Sequence, residues 1–277
     1  MHMSKSLYFG RINLHYAEGD NEYTIGKKGY SHCHDALEIT YMIDGKGDYN
    51  IEGKKLYLVT DSLLLIPANY FHQWENPEDK IHYCISLHFP LEIFYKRERD
   101  FYLGIFNEPA IILNVFSNKI NFYIQAIADC GQFEETLQEM AAKIRLESLL
   151  YQIHLMKTAN SVKPLVLDER IRDVIVYIGE HLSEELTLDS VACKFALHKD
   201  HLNVLFHEIV GTPIMKYVKT KRLGFAHQEI LSGCRPREAS LKAGFNDYTT
   251  FFRAYKLFYG RAPTEALVSG KELSLLE

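Results

Sequence analysis

Between Leu37 and Phe89 the chain alternates apolar and polar residues, as in EITYMIDGKGDYNIEGKKLYLV, whereas past Ser117 its apolar residues recur at steps of three and four. A strand turns successive side chains to opposite faces and a helix gathers every third or fourth onto one stripe, so the two stretches cannot share one architecture. With 277 residues, 47% of them hydrophobic, there is chain enough for two cores. The turn signals Asp44-Gly45 and Glu52-Gly53 separate short runs too evenly spaced to admit crossover helices. The first half therefore reads as an antiparallel sandwich or small barrel.

The second pattern opens with Phe133, Leu137, Met140, Ala141, Ile144, Ser148, Tyr151 and Leu155. This is one long helix whose apolar stripe is expected to pack on the barrel and, in part, to meet a second copy of the chain. TANSVKPLVLD, residues 158–168, has no period and contains Pro164; a new stripe of Ile171, Val174, Ile175, Ile178 and Leu182 follows it. The reading is a two-domain α+β chain: a barrel over 1–116, a helical linker and dimerisation segment over 117–160, and an all-α domain over 167–277.

No run of about 18 apolar residues and no basic-then-apolar leader is present, which argues against a membrane span or secretion. Five cysteines, an odd number with no C-x2-C pair, argue against a disulfide framework and a thiolate zinc cage and fit the reducing cytoplasm. The net charge of −5 hides an asymmetry: residues 199–261 hold 11 Lys+Arg against 5 Asp+Glu. That local excess favours a polyanionic partner.

The basic segment is built from a duplication. Thr187 can cap a short helix carrying Leu188, Val191, Ala192 and Phe195; after a break at Leu197-His198, Lys199 to Val210 forms a second helix that Gly211 ends. Leu202, Leu205, Phe206 and Ile209 face inward there, leaving Lys199, Asp200, Asn203, Val204 and His207 outward. The arrangement recurs as Glu238–Ala243, a turn at Gly244–Asp247, and Tyr248–Phe258 with Phe251, Tyr255 and Phe258 inward. Between the copies, Ile214 to Ile230 is a helix long enough to hold them apart. Two short helices around a tight turn, twice over, are paired helix-turn-helix units.

L-T-L-D-x-V-A at 186–192, L-x-x-L-F at 202–206 and AGFNDYTTFFRAYKLFYGRAPTEA at 243–266 resemble the DNA-binding domain of AraC/XylS-family transcription regulators, over roughly residues 167 to 267. Val204 stands where many members place an arginine, and Pro236, Ala239 and Ser240 replace an apolar-rich helix start, which is expected to loosen packing. The resemblance implies a non-enzymatic regulator working with promoter DNA and the transcription machinery, its two recognition helices entering successive major grooves about 34 Å apart. On that footing Asn203 pairs with adenine and Arg253 with guanine, Thr249, Thr250 and His207 reach bases, and Lys199, Lys221 and Lys256 meet phosphates. The alternative for each lysine is a solvated surface charge.

In the first half, HCHDALE sets His32, x, His34, three residues, Glu38, six residues, Gly45. Asp61, five residues, Pro67, x, Asn69, two residues, His72, three residues, Asn76 follows. These are similar to the two cupin motifs, apart from Asp61 and Asn69 in glycine positions. The resemblance implies that His32, His34, Glu38 and His72 converge inside the barrel. Three imidazoles and a carboxylate there suit Zn, Ni, Fe or Mn; the same four can instead hydrogen-bond a sugar or other polar effector, or be inert core groups. In IHYCISLHF, His82, Cys84, Ser86 and His88 share one face, expected at solvent or the rim. The expected function is a homodimeric, effector-responsive regulator; the alternative is a metal-dependent cupin enzyme, a dioxygenase or isomerase.

Overall fold

The computed structural model describes residues 5–19, 31–75, 82–112, 117–162, 165–166 and 168–266. Asn76 and Pro164 lie outside the described residues. The chain divides into two compact units, Met1–Leu165 and Val166–Glu277.

The first unit holds β1 (Lys5–Phe9), β2 (Ile12–Gly19), β3 (Leu37–Asp44), β4 (Lys46–Ile51), β5 (Lys54–Val59), β6 (Ser62–Ile66), β7 (His72–Glu75) and β8 (His82–Phe89). Helix α1 (Lys96–Ile105), β9 (Ala110–Ile112), α2 (Ser117–Ala128), α3 (Glu135–Asn160) and the two-residue strands β10 (Ser161–Val162) and β11 (Leu165–Val166) follow. One sheet runs β1-β2-β8-β3-β6-β9-β10 and the other β11-β5-β4-β7. The expected antiparallel, cupin-like architecture is found.

Glu52 and Gly53, at φ 50° and 77°, turn the β4–β5 hairpin as their sequence signals. Asp44-Gly45 does not make the expected hairpin. β3 pairs with β6 and β8 while β4 pairs with β5 and β7, so Gly45, at φ 114°, passes the chain from one sheet to the other. Asp61 and Asn69 sit at φ 65° and 63°, the left-handed region that glycine favours and that Asp and Asn tolerate best among other residues. Both departures from the cupin pattern thus keep its backbone.

The larger sheet is covered on both faces. Leu37, Ile39, Tyr41, Leu63, Leu65, Ile85, Leu87 and Phe89 pack with α2 and α3 residues such as Ile124 and Leu149, while Met42, Leu64 and Ile66 pack with Tyr49, Ile51 and Leu56 of the smaller sheet. A strand buried on both faces needs no polar alternation, which is why β6 reads as the unbroken run SLLLI. Helix α3 overturns an expectation: its buried face is Ala142, Leu146, Leu149, Leu150, Ile153 and Met156. The stripe of Leu137, Met140, Ile144, Tyr151 and Leu155 faces outward, 44% to 66% exposed. The helix has two apolar faces, and the regular one is not the one that packs on the barrel.

The second unit holds α4 (Glu169–Glu180), α5 (Leu188–Lys194), α6 (Lys199–Val210), α7 (Ile214–Leu231), α8 (Pro236–Lys242) and α9 (Tyr248–Tyr259). Asp168 caps α4, Thr187 and Ser190 form a capping box on α5, and Asp247 caps α9. Pro236 takes the first-turn place where its missing N–H costs nothing, starting α8 two residues before the expected Glu238. Packing there is not loosened: Pro236, Ala239 and Ser240 are buried, and Ala239 and Ala243 join Phe245, Phe251 and Tyr255 in one core. No described helix is long and apolar enough to cross a membrane.

Candidate functional site

Strand β3 alternates, so Leu37 and Ile39 enter the helix-side core and Glu38 and Thr40 turn between the sheets. Antiparallel pairing then sets His88 of β8 opposite Glu38, and Ser86 opposite Thr40. The smaller sheet contributes His72, and a short bridge ties His32 to His72 through reciprocal backbone hydrogen bonds of 3.0 and 2.9 Å.

Glu38, 2% exposed, is the hub. Its Oε2 lies 3.1 Å from His34 Nε2 and 3.3 Å from both His72 Nε2 and His88 Nε2. Its Oε1 accepts from Thr40 Oγ1 at 2.7 Å, and Thr40 in turn meets Ser86 at 3.0 Å. His32 does not reach Glu38; its ring sits 4.2 Å from that of His72 and 5.9 Å from that of His34. All four expected residues are therefore brought together, with a fifth, His88, that motif spacing missed. The expectation that the polar face of β8 meets solvent or the rim is overturned for Ser86 and His88, which lie inside. Only the strand register reveals this, and a single strand's alternation gives two faces without saying which is inner.

The electrostatics follow from burial and proximity. Burial by itself would raise the Glu38 carboxyl, yet hydrogen bonding from His34, His72 and His88 holds it well below the usual carboxylate range. Burial would lower His34, but its hydrogen bond and charge attraction to Glu38 outweigh that and raise it. His32, buried and next to His72 rather than the carboxylate, is lowered to about 4. Burial and then the Glu38 charge push the Cys84 thiol up to about 12, so it is inert at neutral pH.

Tautomers sharpen the picture. His34 Nδ1 lies 3.0 Å from the Ala36 carbonyl and His72 Nδ1 2.8 Å from the Tyr70 carbonyl, so each Nδ1 carries a proton and donates it. A neutral ring would then aim an Nε2 lone pair at a carboxylate oxygen. Either the ring is protonated or a cation stands between the two. His32 Nδ1 is moreover buried without a hydrogen bond, and His72 Nε2, also buried, has the 3.3 Å approach to Glu38 Oε2 as its polar contact. The ligand atoms of His32, His34 and His72, and likewise those of His34, Glu38 and His88, lie within 4.8 Å of one another, a spacing that suits one ion. The donor set fits a divalent transition metal.

In the second unit, Thr249, Thr250, Arg253 and Lys256 line the exposed side of α9, and Lys199, Val204 and His207 that of α6. Lys199 Nζ is held 2.9 Å from Asp189 Oδ1. Lys221 is half-buried with its Nζ 5.3 Å from the centre of the Tyr217 ring. Asn203 departs from its expected outward place: its Oδ1 accepts the Ile214 N–H at 3.1 Å, closing the start of α7, whose N-cap Pro213 has no side-chain acceptor. Arg222 donates to the Leu182 and Glu184 carbonyls at 2.9 and 2.6 Å, bracing the loop before α5.

A cupin-type barrel and a separate unit with two helix-turn-helix pairs define a DNA-binding regulator carrying a cupin-like domain. Residues 191–267 match a helix-turn-helix domain model and residues 21–88 a cupin domain model. The arabinose operon regulatory protein of Escherichia coli K12 is 27% identical over 257 residues, spanning 87% of this chain and 81% of that protein. The right origin-binding protein of the same strain is 32% identical over 94 residues, 34% of this chain and 32% of that protein. Among solved structures, ToxT from Vibrio cholerae O395 is 10% identical with a TM-score of 0.40, covering 94% of this chain and 98% of that one. The chain belongs to the AraC family of DNA-binding transcription regulators. The enzyme alternative is set aside, since its relatives are regulators.

Proposed function

We propose that the barrel is a sensor in which a small polar effector, a carbohydrate, binds at Glu38, His34, His72 and His88, and that its binding changes the affinity of the second unit for promoter DNA. The observation that carries this reading is the buried Glu38 with three imidazole nitrogens within 3.3 Å of one oxygen. A cluster so costly to desolvate stabilises a fold poorly, and it suits recognition of a hydroxyl-rich molecule. Tyr49, its ring 6.1 Å from that of His72 and 5.5 Å from that of Trp74, adds an aromatic wall of the kind polar-ligand sites use. The similarity to an arabinose operon regulatory protein supports a sugar.

His34, His72, His88 and Glu38 would also hold a divalent metal such as Zn, Ni, Fe or Mn, with His32 next to them; the ion would supply a positive centre for an effector oxygen. The paired Nδ1–carbonyl hydrogen bonds favour this second reading. Elemental analysis of the purified protein and a thermal-shift screen of sugars, with and without chelator, separate the two. A sugar-induced shift lost in His34→Ala supports the pocket; an unchanged shift in that variant contradicts it.

The DNA contacts we assign to Lys199, His207, Lys221, Thr249, Thr250, Arg253 and Lys256, with Asn203 bracing α6 against α7. The regulator acts as a homodimer. Leu137, Ile144, Ser148, Tyr151 and Leu155 on the exposed face of α3, with the partly buried Ala141 at their edge, repeat at alternating steps of four and three, the period of a coiled-coil seam, and a second copy supplies the matching helix.

A further inference from the structure

Helices α6 and α9 are equivalent from cap to cap. Each is 12 residues long, begins after an extended N-cap, His198 or Asp247, and ends on a left-handed glycine, Gly211 or Gly260. In this register His207 corresponds to Lys256, Asp200 and His201 to Thr249 and Thr250, and Val204 to Arg253. The same outward position thus carries a guanidinium in one copy and an apolar side chain in the other. Val204 is 55% exposed on the side of α6 that also shows Asp200, His201, His207 and Glu208.

The charges around it differ in the same sense. Lys199 is tied to Asp189, and Asp200 and Glu208 are acidic, whereas α9 shows Arg253 and Lys256. Helix α6, with Lys199 shared with Asp189, therefore has less cationic pull on phosphate than α9, so its contribution rests more on contact with bases.

We infer that Val204 reads thymine, by contact of its methyl groups with the 5-methyl in the major groove. The two recognition helices then read through opposite chemistry, apolar at α6 and hydrogen-bonding at α9. Thymine is the base that presents an apolar group in that groove; opposite guanine, adenine or cytosine, valine would strip water from polar edges and return no hydrogen bond. The inference rests on the DNA-facing role of α6 and α9 proposed above.

The test uses the full-length protein. A preferred site is selected from random duplex DNA at moderate salt, and each thymine in it is then replaced singly by deoxyuridine, which lacks only the methyl. One replacement is expected to weaken wild-type binding about fourfold, the worth of one buried methyl. Val204→Ala should bind the thymine and deoxyuridine sites equally, Arg253→Ala should keep the wild-type ratio, and Val204→Arg should select guanine at that step. Val204 is largely exposed, so circular dichroism should report an unchanged fold in each variant. Uniform indifference of the wild type to deoxyuridine, or a wild-type ratio in Val204→Ala, overturns the inference while leaving DNA binding intact. Failure to select any sequence removes the DNA-facing reading itself.

Discussion

Glu38 and His88 are cross-strand partners on β3 and β8, and their side chains meet with 3.3 Å between Oε2 and Nε2. The contact joins the carboxylate of the first barrel motif to a residue lying outside both motifs. It makes β8 part of the site, and the centre of the cluster is the carboxylate.

Removing that carboxylate takes away the polar partner that His34, His72 and His88 share. Glu38→Ala is expected to destabilise the barrel by roughly 3 kcal/mol, the scale for breaking a buried pair from one side. Glu38→Gln should cost less while abolishing the effector response. Urea denaturation of both variants checks the order; equal stability of wild type and Glu38→Ala would contradict it.

The histidine shifts have opposite signs and set a stability optimum in metal-free protein. His34 is raised, so its contribution is full below the ordinary histidine value near 6.5 and is lost as pH rises through its folded value. His32 is lowered to about 4, so between about 6.5 and 4 the unfolded chain takes up a proton that the folded one refuses, and stability falls with pH. The barrel should be most stable near pH 6.5, with His32 costing about 2–3 kcal/mol by pH 4. His32→Gln should flatten the acid limb; chemical denaturation at pH 4.5, 6.5 and 8.5 measures it.

The two helix-turn-helix turns are built alike and filled differently. Ala196 and Gly244 follow α5 and α8 at φ 53° and 83°, each in the same pair of helix-ending hydrogen bonds. Alanine is strained there, so Ala196→Gly should stabilise the second unit by about 1 kcal/mol. Gly244→Ala should do the reverse by more, because a Cβ would run into the Leu182 carbonyl oxygen. Thermal unfolding of the full chain reads both.

Ile144 lies on the outer face of α3, 56% exposed, so a charge there leaves the barrel core untouched. Ile144→Glu should convert a dimer to a monomer in sedimentation with an unchanged circular dichroism spectrum. A dimer that survives would place the interface elsewhere.

Much of this was legible in the chain because local chemistry and fold agree. Thr187 and Asp247 cap where their types and positions say, and Lys199–Val210 is a helix over its expected span. The barrel motifs located His32, His34, Glu38 and His72 for the same reason. What escaped depends on partners that sequence does not name. His88 needed the β3–β8 register, and the buried side of α3 needed to know which of two apolar faces meets the sheet. Asn203 has an outward spacing and an inward task, since its acceptor is drawn to the uncapped start of α7.

On the proposed reading, occupancy of the Glu38 cluster governs DNA binding. The most direct measurement is the affinity of the full-length protein for its selected DNA site, by fluorescence anisotropy, with and without each sugar that raises its thermal stability. Coupling of ordinary strength should shift Kd at least about fivefold in the wild type and not at all in Glu38→Gln. A wild-type Kd indifferent to every stabilising sugar, or a shift of equal size in Glu38→Gln, would contradict it.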